Sequence, residues 1–195
     1  MDNENFSPEQ SLQLINKMIT EVKQALKHNG FFFLLWGWLV FVSAITNYVL
    51  IKMNIEQGYF VWLILMPLGG IVSTIYGLTR MKKQKKRAKT FVDRAMGYVW
   101  TAFALSLLII LFSGFVVSFE KVYPFVLLIY GIPTFITGGI IKMKLLIFGG
   151  IFCWILSVIA FYVTYDVQLL LFAAAITVAY IIPGHLINSN YRRNV

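Results

Sequence analysis

Cysteine is almost missing: Cys153 is the only one in 195 residues. A lone thiol closes no intrachain disulfide, so a stapled secreted domain is excluded. Charge is scarce, at 13% of residues, where an ordinary soluble domain carries roughly 25%. Acids are scarcer than bases, with eight Asp and Glu against seventeen Lys and Arg. Histidine occurs twice, as His28 and His185; two imidazoles and one thiol make no metal site of recognisable spacing. Phosphate-cradling glycine loops, Gly-x-Ser-x-Gly elbows and His-Glu-x-x-His motifs are absent. The glycine pairs Gly69-Gly70, Gly138-Gly139 and Gly149-Gly150 lie inside apolar runs without the strand that such loops need. No catalytic residue, cofactor or metal is therefore expected, and the chain reads as a non-enzyme.

What is present in surplus is apolar, 59% of the chain. The surplus is gathered into six runs free of Asp, Glu, Lys and Arg: Asn29–Ile51, Gln57–Thr79, Ala95–Phe119, Val122–Ile141, Leu145–Tyr165 and Val167–Tyr191. Roughly 20 apolar residues cross a bilayer as a helix, and hydrocarbon leaves helix as the only spanning form for such runs. Trimmed at their polar ends, they predict spans at 31–51, 59–79, 97–118, 122–141, 145–165 and 167–187. The connections Lys52–Gly58, Phe119–Lys121 and Asp166 are short, so three antiparallel hairpins are expected. The predicted fold is all-α: a polytopic six-helix membrane domain over 30–187, preceded by a cytoplasmic amphipathic helix over 1–29, interrupted by a basic loop at 80–95, and followed by a tail at 188–195.

Basic residues set the orientation. With the N-terminus in the cytoplasm, fifteen of the seventeen Lys and Arg fall on that side, leaving Lys52 and Lys121 outside. This is a strong positive-inside pattern, and six spans return the C-terminus to the cytoplasm. The polar first 30 residues and the long first apolar run do not read as a cleavable signal peptide. The expected location is a bacterial plasma (inner) membrane, and the net charge of +9 reports facing rather than a nucleic-acid partner.

Some positions carry local meaning. Pro67 and Pro133 lie mid-span, where a missing N–H and a crowded turn kink a helix. Pro124 is expected in the first turn of its helix, where the missing donor costs nothing. Pro183, before Gly184, is expected to end the last span. Small residues recur every fourth position in Gly69-x-x-x-Ser73-x-x-x-Gly77, Gly149-x-x-x-Cys153-x-x-x-Ser157 and Ala175-x-x-x-Ala179, a spacing that lets backbones approach, within the bundle or between copies. Trp154 sits mid-span, and its indole N–H needs a partner inside the bundle.

Ahead of the first span, Ser7-Pro8-Glu9-Gln10 reads as a capped helix start. Leu12, Ile15, Ile19, Val22 and Leu26 follow at spacings of three and four, an apolar stripe along about 30 Å of helix. The stripe must be covered by the membrane surface, by the bundle's cytoplasmic end, or by a partner helix. Between the second and third spans, Arg80, Lys82, Lys83, Lys85, Lys86, Arg87 and Lys89 come without an acid. Each is drawn to anionic headgroups by about 1 kcal/mol, making membrane lipid the expected contact. Thr90-Phe-Val-Asp93 then reads as the cap of the third helix.

The phrases Ser7-Pro-Glu-Gln-Ser-Leu12, Phe33-Leu-Leu-Trp-Gly-Trp38, Pro67-Leu-Gly-Gly70, Asp93-Arg-Ala-Met-Gly-Tyr-Val-Trp100 and Pro183-Gly-His-Leu-Ile-Asn188 resemble those of a family of small, uncharacterised bacterial multi-span inner-membrane proteins with no assigned activity. The resemblance implies a plasma-membrane protein and transfers no catalytic residue.

No ionisable side chain except His185 falls within the spans, which disfavours proton- or cation-coupled transport. The reading the residues favour is a regulatory or scaffolding protein whose cytoplasmic face engages anionic lipid, a protein partner or another copy of itself. The alternative is a small transporter or channel for a neutral or apolar solute, resting on Pro67 and Pro133. A lipid enzyme would have to assemble from Asp93, His185 and Asn188.

Overall fold

The structure, a computed structural model, describes residues 8–83 and 91–193, with side chains described at 30–55, 57–79 and 94–189. All regular structure among these residues is helical. Helix α1 spans Pro8–Lys52, α2 Phe60–Lys83, α3 Phe91–Val117, α4 Phe119–Ile140 and α5 Lys144–Ala160. A 3-10 turn, Glu56–Tyr59, leads into α2. The last crossing is α6, Tyr165–Ile176, then a π-helical turn, Thr177–Ile181, then α7, Ile182–Arg193. Five helical stretches are long and apolar enough to cross a membrane, and the apolar α5 has 17 residues.

The expected separate N-terminal helix is instead the first part of α1, which runs 45 residues without a break. No proline falls between Pro8 and Pro67, and Gly30, the one weak point near the expected boundary, costs only about 1 kcal/mol relative to Ala. Three other boundaries also differ. Helix α4 begins at Phe119, so Pro124 lies in its second turn rather than its first. Helix α5 stops at Ala160 rather than at 165, because Gln168 Nε2 donates to the carbonyls of Ala160 and Val163 (3.0 and 3.3 Å) and so caps that end. Pro183 does not end the last crossing, and the expected tail is helical to Arg193. Pro183 cannot donate to the carbonyl of Ala179, and the π turn directly before it loosens the backbone where its ring would crowd.

The expected hairpin partners pack together, α1 with α2, α3 with α4 and α5 with α6, but other pairs pack too. The most extensive contact is α4 with α5, across the expected hairpin boundary, and α1 packs along α6, the π turn and α7. The α4–α5 crossing is close because of two glycines. A Cβ on Gly131 would lie 2.6 Å from Cδ1 of Trp154 and 2.8 Å from the Gly150 carbonyl, and one on Gly150 would lie 2.8 Å from the Gly131 carbonyl. The bonds between them follow: Trp154 Nε1 donates to the Leu128 carbonyl at 3.1 Å, and Ser157 Oγ to that of Pro124 at 2.8 Å. The partner expected for the Trp154 indole is thus a backbone carbonyl next to that of Ile129, which Pro133 leaves without its helical donor.

Two turns use the same backbone device. After α1, Asn54 takes φ 58, Ile55 N–H donates to the Leu50 carbonyl and Asn54 N–H to that of Ile51. After α4, Lys142 takes φ 55, Met143 N–H donates to Gly138 and Lys142 N–H to Gly139. Both satisfy the last carbonyls with a left-handed residue where glycine is usual.

Candidate functional site

The interior enclosed by α1, α2, α3, α4 and α6 is aromatic. Tyr130 of α4 meets Phe103 of α3, Phe172 of α6 and Tyr180 of the π turn, at ring centroids 4.9, 5.3 and 5.6 Å apart. Towards one end, Phe33 of α1 closes on Tyr180 and Trp100. Towards the other, Trp62 of α2 reaches Tyr123 and Phe172. Most contacts are edge-on, the favoured geometry of ring quadrupoles. The helices thus meet through rings, and Tyr130, Phe172 and Tyr180 are buried among them. Thr134 adds a polar anchor, its hydroxyl donating to the Tyr130 carbonyl at 2.8 Å and lying 3.3 Å from the Tyr180 hydroxyl.

At the end where α1 finishes, the groups are polar. Lys52 Nζ pairs with Asp166 at 2.6 Å, Thr164 Oγ1 donates to the same carboxylate, and the buried Asn47 donates from Nδ2 to the Tyr165 hydroxyl at 3.2 Å. These contacts tie the end of α1 to the start of α6. At the other end Gly30 faces Ile187 and Gly184 faces Leu34. The N-terminal and C-terminal ends of the bundle helices therefore share one side. A few buried polar atoms among the described residues have no partner: Trp62 Nε1, Ser73 Oγ, Thr137 Oγ1 and Gln168 Oε1.

The residues singled out from the sequence fall as follows. Leu12, Ile15, Ile19, Val22 and Leu26 occupy helical positions of α1, but their side chains lie outside the described residues. So do those of Arg80, Lys82 and Lys83 at the end of α2, while Lys85, Lys86, Arg87, Lys89 and Thr90 lie outside altogether. Pro67 and Pro133 both sit inside unbroken helices, Pro67 exposed and Pro133 buried. Cys153 is buried in α5, and Gly149 of the same small-residue stripe would press a Cβ within 2.8 Å of the Ala179 backbone. The two stripes on α5 and the last crossing thus meet within the bundle. On α2 Gly69 is packed against Leu39 and Trp36, while Gly77 borders open space. His185 and Asn188 are exposed on α7, and the Asp93 side chain lies outside the described residues.

The aromatic interior and the Lys52–Asp166 pair were not singled out from the sequence. The three-and-four spacing of Trp100, Phe103, Leu107 and Ile110 carried a signal for the first. Lys52 and Asp166, the charges bounding two uncharged runs, gave none for their pairing, which spans 114 positions.

These elements define a helical bundle in which five helical stretches are long and apolar enough to cross a membrane. Comparison of the chain with protein-family models, with curated proteins and with solved structures yields no match in any of the three.

Proposed function

We propose that the chain is a multi-pass protein of a bacterial plasma membrane, with both termini in the cytoplasm, acting as a non-enzymatic scaffold or regulator. Its cytoplasmic arm, the part of α1 ahead of Gly30, presents an apolar stripe to a helix of a partner. Its basic segment rests on anionic headgroups.

Membrane residence is supported by an apolar distribution turned outward. On α3, Phe112, Phe115 and Val116 are 70%, 76% and 87% exposed, and α2 exposes Leu63, Ile64, Ile71 and Ile75. A soluble monomer rarely leaves so continuous a patch to water, whereas lipid tails cover it without penalty.

One observation carries the functional reading. The buried positions Gly30, Phe33, Gly37, Val40 and Ala44 of α1 each lie 18 residues after Leu12, Ile15, Ile19, Val22 and Leu26. Eighteen residues make five turns of helix. The stripe therefore occupies the very face of α1 that is buried on the last crossing, carried outward on one uninterrupted helix. An arm lying flat on the membrane needs a bend between the stripe and Gly30, and α1 has none. The antiparallel match of Gly30 to Ile187 and Leu34 to Gly184 carries α7 only to about the level of residue 24. A partner helix is the occupant that this geometry favours for the stripe beyond that level.

The transporter alternative is weakened by the buried ring-on-ring contacts of the interior and by the unbroken helices around Pro67 and Pro133. The test is site-specific photo-crosslinking in membranes of the expressing cell. Crosslinkers at Ile15, Ile19 and Val22 are expected to yield a discrete protein adduct, and those at Lys17 and Gln24, on the opposite face, none. Adducts from both faces alike, or from neither, overturn the proposal.

A further inference from the structure

Trp38 is the largest exposed side chain of α1 among the described residues, at 48%, and Val42 and Val49 share its face. The buried Val40 lies two positions from both Trp38 and Val42, about 200° around the helix. This face therefore points away from the core. Trp38 also lies inside the apolar stretch Gly30–Lys52, roughly 12 Å along the axis from Gly30. Tryptophan favours the membrane–water interfaces, where its N–H finds a polar partner. The Trp38 ring meets that of Phe41 edge-on, and among the described residues its indole N–H has no acceptor.

Gly70 is the reverse feature on α2. A Cβ there, or at Gly77, would meet no atom within 4 Å. Between the two stands the exposed Thr74, whose hydroxyl donates to the Gly70 carbonyl at 2.8 Å. The lone pairs of that hydroxyl are left to accept. The depths match. Helices α1 and α2 meet where Phe31 stacks on Tyr76 and where Gly69 lies against Leu39 and Trp36. Gly70 is thus level with Trp38 to within about one helical turn. Side chains lean toward the N-terminus of their helix, which carries the Trp38 ring toward the level of Thr74.

We infer that copies of this chain associate in the plane of the membrane through these two features. Trp38 of one copy seats in the notch at Gly70 of the next, and its indole N–H donates to the Thr74 hydroxyl oxygen. Copies in one membrane share an orientation, so features level on one chain are level on its neighbour. Knob and notch lie on different helices, so the contact is heterologous and closes into a ring or continues as a row. Small residues let helices approach closely in lipid, and an interhelical hydrogen bond relieves a donor stranded in hydrocarbon. A lipid tail covers Val42 and Val49 as well as a protein does, but it offers Trp38 no acceptor. A second copy offers one at the right depth. This inference rests on the membrane placement proposed above but not on the role of the α1 arm.

The test is Förster transfer between donor- and acceptor-labelled copies of the full chain, labelled at Val195→Cys, in dilute vesicles of phosphatidylethanolamine and phosphatidylglycerol. Flotation of the chain with the vesicles reports its membrane placement separately. The parent is expected to transfer well above the level of random encounter. Trp38→Ala and Gly70→Leu are each expected to fall to that level. Gly70→Leu displaces no neighbour, since the position borders open space. Donor-labelled Trp38→Ala mixed with acceptor-labelled Gly70→Leu is expected to recover transfer, because the intact Trp38 of one meets the intact Gly70 of the other. Trp38→Phe, which keeps a ring and loses the N–H, is expected to fall between the parent and Trp38→Ala. Gly139→Leu, equally unobstructed but on α4, is expected to behave as the parent. Random-level transfer in the parent, parental transfer in Trp38→Ala or Gly70→Leu, or no recovery in the mixture of folded variants overturns the inference. Should either of those two variants fail to fold, Trp38→Phe decides, and transfer equal to the parent's overturns it.

Discussion

Gly150 shows how much can hang on a missing methyl group. A Cβ there meets the Gly131 carbonyl and the Phe135 backbone at 2.8 and 2.9 Å, and neither is a flexible side-chain end that could swing aside. Gly150→Ala should therefore destabilise the bundle by about 1–3 kcal/mol, the usual cost of overpacking. Gly139→Ala, where a Cβ meets nothing, should stay within about 0.5 kcal/mol of the parent. Unfolding in mixed micelles of rising dodecyl sulfate content, followed by tryptophan fluorescence, measures both. Equal effects would mean that the close α4–α5 crossing does not set the stability. The four-residue spacing announced that Gly149, Cys153 and Ser157 form a packing face. It was silent on Gly131, because one glycine beside a proline has no periodicity to betray it. Trp154 was legible in chemistry and not in geometry: its N–H had to find an acceptor, but which carbonyl depended on a helix 26 positions away.

Helix ends were harder to read than helix cores. Uncharged runs locate the crossings because burying a charge in hydrocarbon is costly, yet apolar side chains continue through turns. Phe161 and Val163 belong to such a turn, and α5 ends before them where Gln168, eight and five positions on, donates to the carbonyls of Ala160 and Val163. Pro183 misled for a related reason: its stopping power depends on the preceding turn, and the π turn at Thr177–Ile181 removes the conflict. At the opposite end of α5, Lys142 holds a left-handed conformation that costs a residue with a side chain roughly 1 kcal/mol. Lys142→Gly should raise stability by about that amount, in the same unfolding assay. A loss of stability instead would show that the lysine's charge at the membrane surface outweighs its backbone strain.

The molecule as a whole combines a core of rings, an outward apolar coat and one helix longer than the bundle. The apolar coat and the six apolar runs were plain in the sequence, and five helical stretches are long and apolar enough to cross a membrane. The proposed facing rests on Lys and Arg counts, and the lone buried Cys153 makes it easy to check. In cells with a permeabilised outer membrane, an impermeant maleimide should label Lys52→Cys and leave Lys142→Cys untouched; the reverse would invert the protein. The continuity of α1 was not legible, because a change from a polar to an apolar segment looks like a boundary even where the backbone runs straight on. That continuity is also what links the arm's stripe to the buried face of the bundle. Spin labels at Ser11 and Trp38 of the protein in lipid nanodiscs test it most directly through their dipolar distance. An uninterrupted helix places the two positions about 40 Å apart in one narrow distribution; a distribution centred near 30 Å, the value for an arm bent flat at Asn29, or one too broad to have a centre, would contradict it.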